Sequence, residues 1–365
     1  MKNVYYPLAG MNYIIDNLSQ ILKNKKPEER EAIIIYLSAQ VNSYPHVGTL
    51  INFTSAFAIA KQLKETYKVP VRIRVELLES VTGEEQIIDG TKYYKNLVNV
   101  KDDNGMTICD KYLPYFKEIL NRLSSRDVIE YEILFFYDYQ KDFLVRRSLL
   151  EVMDNADILG DVLNPKDGSI RLRFECPKCG LVDKHNRNLR TVYKSKEKIV
   201  LENECPIHGK HLLTVTEDND EKFDMNVPLR YLVKAMYLIK SDAKNNTLSV
   251  IVDGGDWSGM WPLRVYMEPL LKLGYREPVN VIYTPTILDW SGSKLSKRMY
   301  VGNQAYREYM KEGLINYSEF YNQYGEEGFE RLYNEVNLWV SDPKLFIRDY
   351  TIEYIDMVLR GEAHN

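Results

Sequence analysis

The feature that most constrains the fold is a strand–helix–strand pattern that occurs twice in the 365-residue chain. Each copy has an apolar run, a stretch with apolar residues at helical spacing, and a second apolar run. Such units build parallel sheets with helices on both faces, so we predict an α/β protein with a doubly wound parallel sheet. The predicted segments are strand 32–37, helix 50–67 and strand 71–78, and then strand 248–252, helix 261–273 and strand 279–283.

The two copies lie far apart in the sequence, which indicates that an insertion splits the sheet. The first part of the insertion is predicted to be mainly helical with a strand near 129–136, and the second part to form short strands and turns. The predicted regions are the first half of a nucleotide-binding domain at 1–91, an insertion at 92–222 with a small ribbon at about 165–222, the second half of the domain at 223–303, and a short helical C-terminal tail at 304–365.

Charge and hydropathy exclude several classes of protein. The chain has 48 Lys and Arg against 52 Asp and Glu, so it is not a polybasic nucleic-acid binder and no DNA partner is expected. No apolar run approaches the roughly 18 residues that a membrane span needs, and the N-terminus lacks a signal-peptide pattern. Four cysteines in a chain of this length do not make a disulfide scaffold. We therefore expect a cytoplasmic enzyme without a membrane partner.

Four residues of the ribbon have the spacing of a zinc site. Cys176 and Cys179 form a C-x2-C pair, and Cys205 and His208 form a C-x2-H pair after 25 intervening residues. A glycine follows each pair, where the chain must turn tightly to direct both ligands at one ion. Three cysteines and one histidine complete a closed tetrahedral shell, so we predict a structural Zn²⁺ without a catalytic role.

The same region is locally basic. Residues 166–198 contain ten Lys or Arg and four Asp or Glu, a local charge of +6. Two interpretations are equally supported: a solvated face, or a surface that contacts a nucleic-acid backbone.

Two loops have the composition of a phosphate-binding site. The segment 42–49 lies between the first strand and its helix, where a doubly wound sheet binds phosphates at a helix N-terminus. In this segment His46 can donate to phosphate oxygens, Gly48 allows close approach of a ligand, and Thr49 supplies a hydroxyl group. The segment 289–298 follows the last predicted strand and carries three cations, which suits a loop that closes on a departing pyrophosphate.

Together the two loops resemble the two signature motifs of class I aminoacyl-tRNA synthetases. The sequence 45–49, PHVGT, resembles the "HIGH" motif, and 294–298, KLSKR, resembles "KMSKS". Residues 253–257, DGGDW, resemble the ribose-binding G-x-D segment of the family, and a zinc-bearing insertion is also common in it. Within the family, 223–231 resembles a D-W-P-x-R-W segment of class I lysyl-tRNA synthetases, although Met225 and Asn226 stand where that segment carries Trp.

The resemblance implies a Rossmann-like fold and ATP-dependent activation of an amino acid to an aminoacyl-adenylate, with Mg²⁺ bound to the ATP. The implied catalytic residues are His46, Lys294 and Lys297. Pro45, Gly48, Thr49, Gly255, Asp256, Ser296 and Arg298 would bind the nucleotide. Ser38, Gln40, Trp257 and Tyr283 would line the amino-acid site.

The acceptor of the aminoacyl group stays open at this point. Only 67 residues follow Arg298, and residues 304–365 carry six Lys or Arg against twelve Asp or Glu, so no anticodon recognition is expected. The tail is instead predicted to pack on the catalytic domain through Leu332, Val336, Trp339 and Val340. The basic ribbon would reach the tRNA acceptor end only, and a small amine or carrier protein is the alternative acceptor. Two further alternatives are a nucleotidylyltransferase and a catalytically inactive paralogue that acts as a binding or regulatory protein.

Overall fold

The computed structural model describes residues 5–8, 11–14, 18–259, 261–296 and 310–363. At its centre is a sheet of five strands in which every neighbouring pair is parallel. The spatial order is β3-β2-β1-β4-β5, the doubly wound order of a nucleotide-binding sheet. This confirms the predicted fold class. The strands are β1 (Ala32–Ala39), β2 (Val71–Leu77), β3 (Glu130–Phe135), β4 (Thr247–Gly254) and β5 (Asn280–Thr284).

The order of the strands reverses between β1 and β4. Ile34 of β1 lies opposite Ser249 of β4, whereas on its other side it lies opposite Arg72 of β2. The connections leave β1 and β4 in opposite directions along the sheet, so a crevice opens at the carboxyl ends of these two strands. The backbone pairing of β1 with β4 therefore fixes the two strand ends that border the crevice.

Helices cover both faces of the sheet because alternate residues of each strand face opposite sides. Ile33, Ile35 and Leu37 belong to one buried cluster, and Tyr36 belongs to the other. The longer helices are α1 (Val47–Tyr67), α2 (Ile108–Asp127), α3 (Phe143–Asp154), α4 (Ala156–Leu163), α5 (Val227–Asn245), α6 (Glu268–Lys272), α7 (Tyr317–Ser341) and α8 (Ile352–Arg360). Short helical turns cover Leu18–Lys25, Pro27–Glu29, Leu97–Asn99, Phe136–Tyr139, Gly255–Trp257, Glu312–Ile315 and Pro343–Phe346, and a π-helix over Pro262–Met267 precedes α6.

The strand β3 comes from the range that the sequence analysis placed in the insertion. It pairs along its whole length with β2, from Arg72–Glu130 to Leu77–Phe135. It therefore forms one edge of the central sheet, and α2 connects it to the preceding part of the chain.

Small antiparallel sheets lie outside the central one. One contains Thr82–Ile88, Thr91–Asn96 and Val182–Asp183, and another contains Arg190–Lys194, Lys198–Cys205 and Gly209–Thr216. Two-stranded pairs are formed by Tyr5–Leu8 with Met11–Ile14, Leu172–Arg173 with Asp224–Met225, and Ile287–Leu288 with Tyr350–Thr351, the last of these parallel.

The C-terminal helices pack on the same face of the sheet as α1. Leu332, Val336, Trp339 and Val340 of α7 are all buried in the cluster that also contains Phe53 and Phe57 of α1. The backbone N–H of Tyr317 donates to the carbonyl oxygen of Pro45 at 3.0 Å. The start of α7 is therefore joined to the loop that precedes α1. Among the described helices, none is long and apolar enough to cross a membrane.

Candidate active site

The crevice between β1 and β4 contains a cavity of about 840 Å³. It lies where a doubly wound sheet binds its ligand, outside the carboxyl ends of the strands at the reversal of strand order. Ten of the residues predicted for the site line this cavity: Ser38, Gln40, His46, Gly48, Thr49, Gly255, Asp256, Trp257, Lys294 and Ser296.

His46 begins α1 and is held by its own helix. Its Nδ1 accepts a hydrogen bond from the backbone N–H of Gly48 at 2.9 Å, as a helix-capping side chain does. Because Nδ1 acts as the acceptor, the neutral ring carries its proton on Nε2. In this assignment Nε2–H is the donor of the imidazole ring.

Gly48 is required by the position of that ring. A Cβ atom at residue 48 would lie 2.7 Å from Cε1 and 2.9 Å from Nδ1 of His46. Such distances are shorter than van der Waals contact, so any larger residue would displace the imidazole. The glycine two residues after the histidine thus permits the capping hydrogen bond, and it also leaves the helix N-terminus open to a ligand.

A second close approach occurs at the end of β4. Gly255 starts a helical turn, and a Cβ atom there would lie 2.6 Å from Oγ1 of Thr286 and 2.8 Å from the carbonyl oxygen of Thr284. The absence of a side chain therefore lets the chain after β4 pack against the chain after β5. Asp256 and Trp257 follow in the same turn and line the cavity.

The lysine-bearing loop is a tight turn as far as the structure describes it. Asp289 organises the turn, because its Oδ1 accepts from the backbone N–H groups of Ser291 and Ser293 at 2.9 and 3.2 Å. Gly292 has a φ of 77°, which favours glycine at this turn. The ammonium group of Lys294 contacts the carboxylate of Asp256. Lys297 and Arg298, also predicted for this loop, lie outside the described residues.

Two predicted residues do not line the cavity. The ring of Pro45 is buried below the loop, and its carbonyl oxygen is bound to Tyr317. Tyr283 lines a separate cavity of about 80 Å³, together with Thr284 and the segment 346–349. Tyr283 of β5 lies opposite Asp253 of β4 in the parallel pairing, so the two side chains share one face of the sheet, although Tyr283 itself does not line the larger cavity.

Asp253, the one charged residue of β4, was not among the predicted site residues, although it stands in the segment 253–257 that resembles a ribose-binding motif. It lines the cavity, accepts a 2.6 Å hydrogen bond from the hydroxyl group of Tyr231 through Oδ2, and accepts from the backbone N–H of Gly254 through Oδ1. Burial raises the pKa of Asp253, and the hydrogen bond from Tyr231 opposes that shift. Tyr231 itself stacks on Trp257, with ring centroids 5.6 Å apart.

Charged side chains from the insertion and from α5 line another part of the cavity, and sequence reasoning missed these as well. Arg173 contacts the buried carboxylate of Asp224, and Arg230 approaches the same carboxylate at 3.9 Å. The signal was present, since Asp224 and Arg230 both belong to the segment 223–231 noted for its resemblance. The placement of this segment at the cavity depends on the pairing of Asp224–Met225 with Leu172–Arg173.

A buried polar network supports Ser38 from behind. Lys234 donates to Oε2 of Glu76 at 2.8 Å and to Oγ of Ser38 at 3.2 Å, and Ser38 also donates to Glu76 at 3.1 Å. Glu76 and Lys234 are both buried, and a buried ion pair holds its members in one geometry only when hydrogen bonds satisfy both. Of the three, Ser38 alone reaches the cavity.

The four predicted metal ligands lie together in the ribbon. The ligand atoms of Cys176, Cys179, Cys205 and His208 all lie within 4.8 Å of one another. The Sγ atoms of Cys179 and Cys205 are 3.6 Å apart, and Nδ1 of His208 is 3.6 Å from Sγ of Cys176. A tetrahedral site with Zn–S bonds of about 2.3 Å needs sulfur atoms about 3.8 Å apart, so this arrangement fits Zn²⁺.

The two glycines of the ribbon have the backbone conformation that the sequence predicted. Gly180 has a φ of 71° and Gly209 a φ of 73°. Both values lie in the left-handed region, where glycine is favoured, and they allow each ligand pair to turn back on itself.

Comparisons with known proteins identify structural neighbours at low similarity. No protein-family model matches the chain, and no curated protein matches it. Two solved structures of the methionyl-tRNA synthetase of Mycobacterium tuberculosis, each with methionyl-adenylate, are 12% and 13% identical, with TM-scores of 0.41 and 0.42; both alignments cover 92% of this chain and 69% of the neighbour. A putative arginyl-tRNA synthetase of Campylobacter jejuni is 11% identical, with a TM-score of 0.33, and the alignment covers 87% of this chain and 67% of that one.

Proposed function

We propose that the protein activates an amino acid with ATP, as class I aminoacyl-tRNA synthetases do. In this reaction an α-carboxylate oxygen attacks the α-phosphorus of ATP, the bond to the β-phosphate oxygen breaks, and pyrophosphate leaves. The observation that supports it best is one cavity at the reversal of strand order that brings together His46, Gly255, Asp256 and Lys294. Positioning and charge stabilisation supply most of the rate in such reactions.

Each group has a role that its position suits. The N-terminus of α1 and Nε2–H of His46 would bind the ATP phosphates, with Gly48 and Thr49 in the nucleotide cradle. Gly255 and Asp256 would bind the ribose, with Ser296 nearby. Lys294, with Lys297 and Arg298, would bind the departing pyrophosphate together with Mg²⁺.

The amino acid would lie deeper in the cavity. Asp253 would bind its α-ammonium group, and Ser38, Gln40 and Trp257 would contact the remainder of the molecule. Zn²⁺ would hold the ribbon together, because four protein ligands leave no open coordination position. The proposed organisation is two sheet halves separated by an insertion and followed by a helical tail, with β3 from the insertion range added to the sheet edge.

The test is ATP–pyrophosphate exchange with each of the twenty amino acids in turn. We expect exchange that depends on one amino acid and falls by about 10²-fold or more in His46→Ala, Lys294→Ala and Lys297→Ala, as removal of a preorganised charge usually produces. Lys272→Ala, on α6 outside the cavity, is the matched control and should leave exchange unchanged. Retained exchange in all three site variants would refute these roles. Tight ATP binding without exchange for any amino acid would favour an inactive paralogue.

Transfer to the acceptor end of a tRNA is the second part of the proposal. It is favoured by the exposed strand Arg190–Lys194 in the basic ribbon, all five residues of which are exposed. Charging of total tRNA with a labelled amino acid tests it, with Arg190→Glu and Lys198→Glu expected to reduce charging but not exchange. Charging that an anticodon substitution abolishes would refute recognition of the acceptor end alone. Intact exchange without charging would favour a small amine or carrier protein as acceptor.

A further inference from the structure

The charged side chains that line the cavity pair with one another almost completely. Four Lys or Arg and four Asp or Glu residues line it among the described residues. Lys184 contacts Glu85, Lys294 contacts Asp256, and Arg173 contacts Asp224. Of the other two, Asp253 forms no such contact, and Arg230 lies 3.9 Å from Asp224, which Arg173 already contacts.

Asp253 forms no ion pair in the part of the chain that the structure describes, because the ammonium group of Lys234, which lowers its pKa from a greater distance, is itself paired with Glu76. No Lys or Arg nitrogen of that part lies within 4.0 Å of its carboxylate, which is bound by the Tyr231 hydroxyl group and the Gly254 N–H. A substrate ammonium group would supply the missing positive charge.

Arg230 is a cation of the cavity that lacks a hydrogen-bond partner among the described residues. The residue is only 9% exposed, and its guanidinium group lies over the ring of Phe136 at 5.7 Å. Its one acidic neighbour among the described residues is Asp224, at 3.9 Å, which is too far for a hydrogen bond. The guanidinium group has five N–H donors, and none of them donates to a described residue within hydrogen-bond distance.

Asp224 cannot easily turn toward Arg230, because other groups already bind its carboxylate. Oδ1 accepts from the hydroxyl group of Ser80 at 3.0 Å, Oδ2 accepts from that of Tyr94 at 3.3 Å, and Arg173 completes the set. Asp224 is therefore a positioning residue for Arg173. No nitrogen atom of Arg230 is among the fully buried polar atoms, so its guanidinium group is open to the cavity without a hydrogen-bond partner among the described residues, where an anionic ligand would bind it.

We propose that the activated amino acid has an acidic side chain, whose carboxylate binds Arg230. The inference rests on the proposed function. In this arrangement Asp253 holds the α-ammonium group, Arg230 holds the side-chain carboxylate, and the α-carboxylate remains free to attack ATP. Arg173 lies on the same side of the cavity, since it lines the cavity and contacts the same Asp224 carboxylate that Arg230 approaches. A planar guanidinium group can bind a carboxylate through two parallel hydrogen bonds.

The experiment compares each acidic amino acid with its amide. ATP–pyrophosphate exchange is measured with L-aspartate, L-glutamate, L-asparagine, L-glutamine and L-lysine. We expect one of the two acidic amino acids to support the highest kcat/KM. Arg230→Met should lower that kcat/KM by about 10²-fold or more, because the site is built to hydrogen-bond the carboxylate, and should reduce the preference over the amide. Arg264→Met, at an exposed arginine outside the cavity, is the matched control.

The outcomes separate this inference from the proposed function. Exchange that a neutral or basic amino acid supports best would overturn the acidic substrate and leave the activation chemistry intact. If no amino acid supports exchange, direct titration of the protein with L-aspartate and L-glutamate decides the inference. Saturable binding that Arg230→Met removes would support it, and no binding would overturn it. Equal thermal unfolding of Arg230→Met and the wild-type protein shows that the variant is folded, and Arg230→Lys should restore part of the lost affinity.

Discussion

The imidazole of His46 and the backbone N–H of Gly48 form a 2.9 Å hydrogen bond within the first turn of α1. One interaction thus caps the helix and fixes the tautomer of the ring. It also explains why the residue two positions after the histidine has no side chain, since a Cβ atom would enter the ring.

Gly48→Ala should therefore separate activity from stability. Ala is favoured over Gly in a helix by about 1 kcal/mol, so we expect a free energy of unfolding within about that amount of the wild-type value. We expect exchange to fall by about 10²-fold, because the displaced imidazole no longer presents Nε2–H to the phosphates. Chemical denaturation and ATP–pyrophosphate exchange on the same samples test this. Wild-type exchange in Gly48→Ala would show that the ring position does not matter.

The zinc ligands give a prediction about metal content. We expect one tightly bound Zn²⁺ per chain, and we expect Cys205→Ser to lose it and loosen the ribbon, because metal binding and local folding share one free energy. Elemental analysis of the purified protein measures the content, and proteolysis within 165–222 reports the loosening. Cys109→Ala is the control, since Cys109 is buried outside the cluster and should keep the metal. Pure wild-type protein without stoichiometric zinc would contradict the assignment.

Asp253 gives a prediction about pH. Its pKa lies above the usual range of aspartate because burial disfavours the charged form. As the pH falls through this raised pKa, the carboxylate is protonated and the α-ammonium group loses its partner, so the KM for the amino acid should rise. Tyr231→Phe removes a hydrogen bond that stabilises the charged form, so the rise should begin at higher pH. Tyr266→Phe, a neighbouring buried tyrosine without a hydrogen bond to Asp253, should leave the profile unchanged. Identical profiles for all three proteins would exclude Asp253 from amino-acid binding.

The C-terminal helix α7 gives a prediction about stability. Trp339 is fully buried, stacks on Tyr350 with ring centroids 4.0 Å apart, and donates through Nε1 to Glu335 at 2.7 Å. Trp339→Ala should lower the free energy of unfolding by about 3–5 kcal/mol, as large truncations in a packed core do. Leu338→Ala, at the preceding position with a side chain 46% exposed, should change it by at most about 0.5 kcal/mol. Chemical denaturation, followed in parallel by intrinsic fluorescence and by the loss of ATP–pyrophosphate exchange, measures the free energy of unfolding of the two variants. Equal effects of the two substitutions would show that α7 does not share the core.

The parts of the fold that follow from local pattern could be predicted from the sequence. The apolar run at 32–37 and the helical spacing at 50–67 correspond to β1 and α1, because a buried strand and its following helix each leave a short-range pattern. The spatial position of β3 could not be predicted. All six of its residues are exposed or half-exposed, and its pairing with β2 depends on how α2 returns the chain to the sheet edge.

The residues of the candidate site can likewise be separated into those that the sequence predicts and those that only the structure reveals. His46 and Lys294 stand in short segments whose glycines and cations are visible in the sequence. Arg230 and Asp253 both stand in segments that the sequence marks, 223–231 and 253–257, but the local pattern does not indicate which side chains of these segments reach the cavity. What selects them is the absence of a fully paired partner in the cavity, and this depends on tertiary structure alone.

The strand order also constrains synthesis of the chain. Ile34 of β1 pairs with Ser249 of β4, about 215 residues later. At translation rates of about 5–20 residues per second, β1 leaves the ribosome roughly 10–40 seconds before its partner is made. During that interval the β1–β2–β3 half of the sheet has an unpaired edge, which is a site of aggregation unless it is covered. We expect ribosome-bound chains arrested before β4 to be cleaved rapidly by protease within β1, and chains arrested well beyond β5 to be protected there. The long insertion thus makes completion of the active-site crevice a late event in the life of each nascent chain.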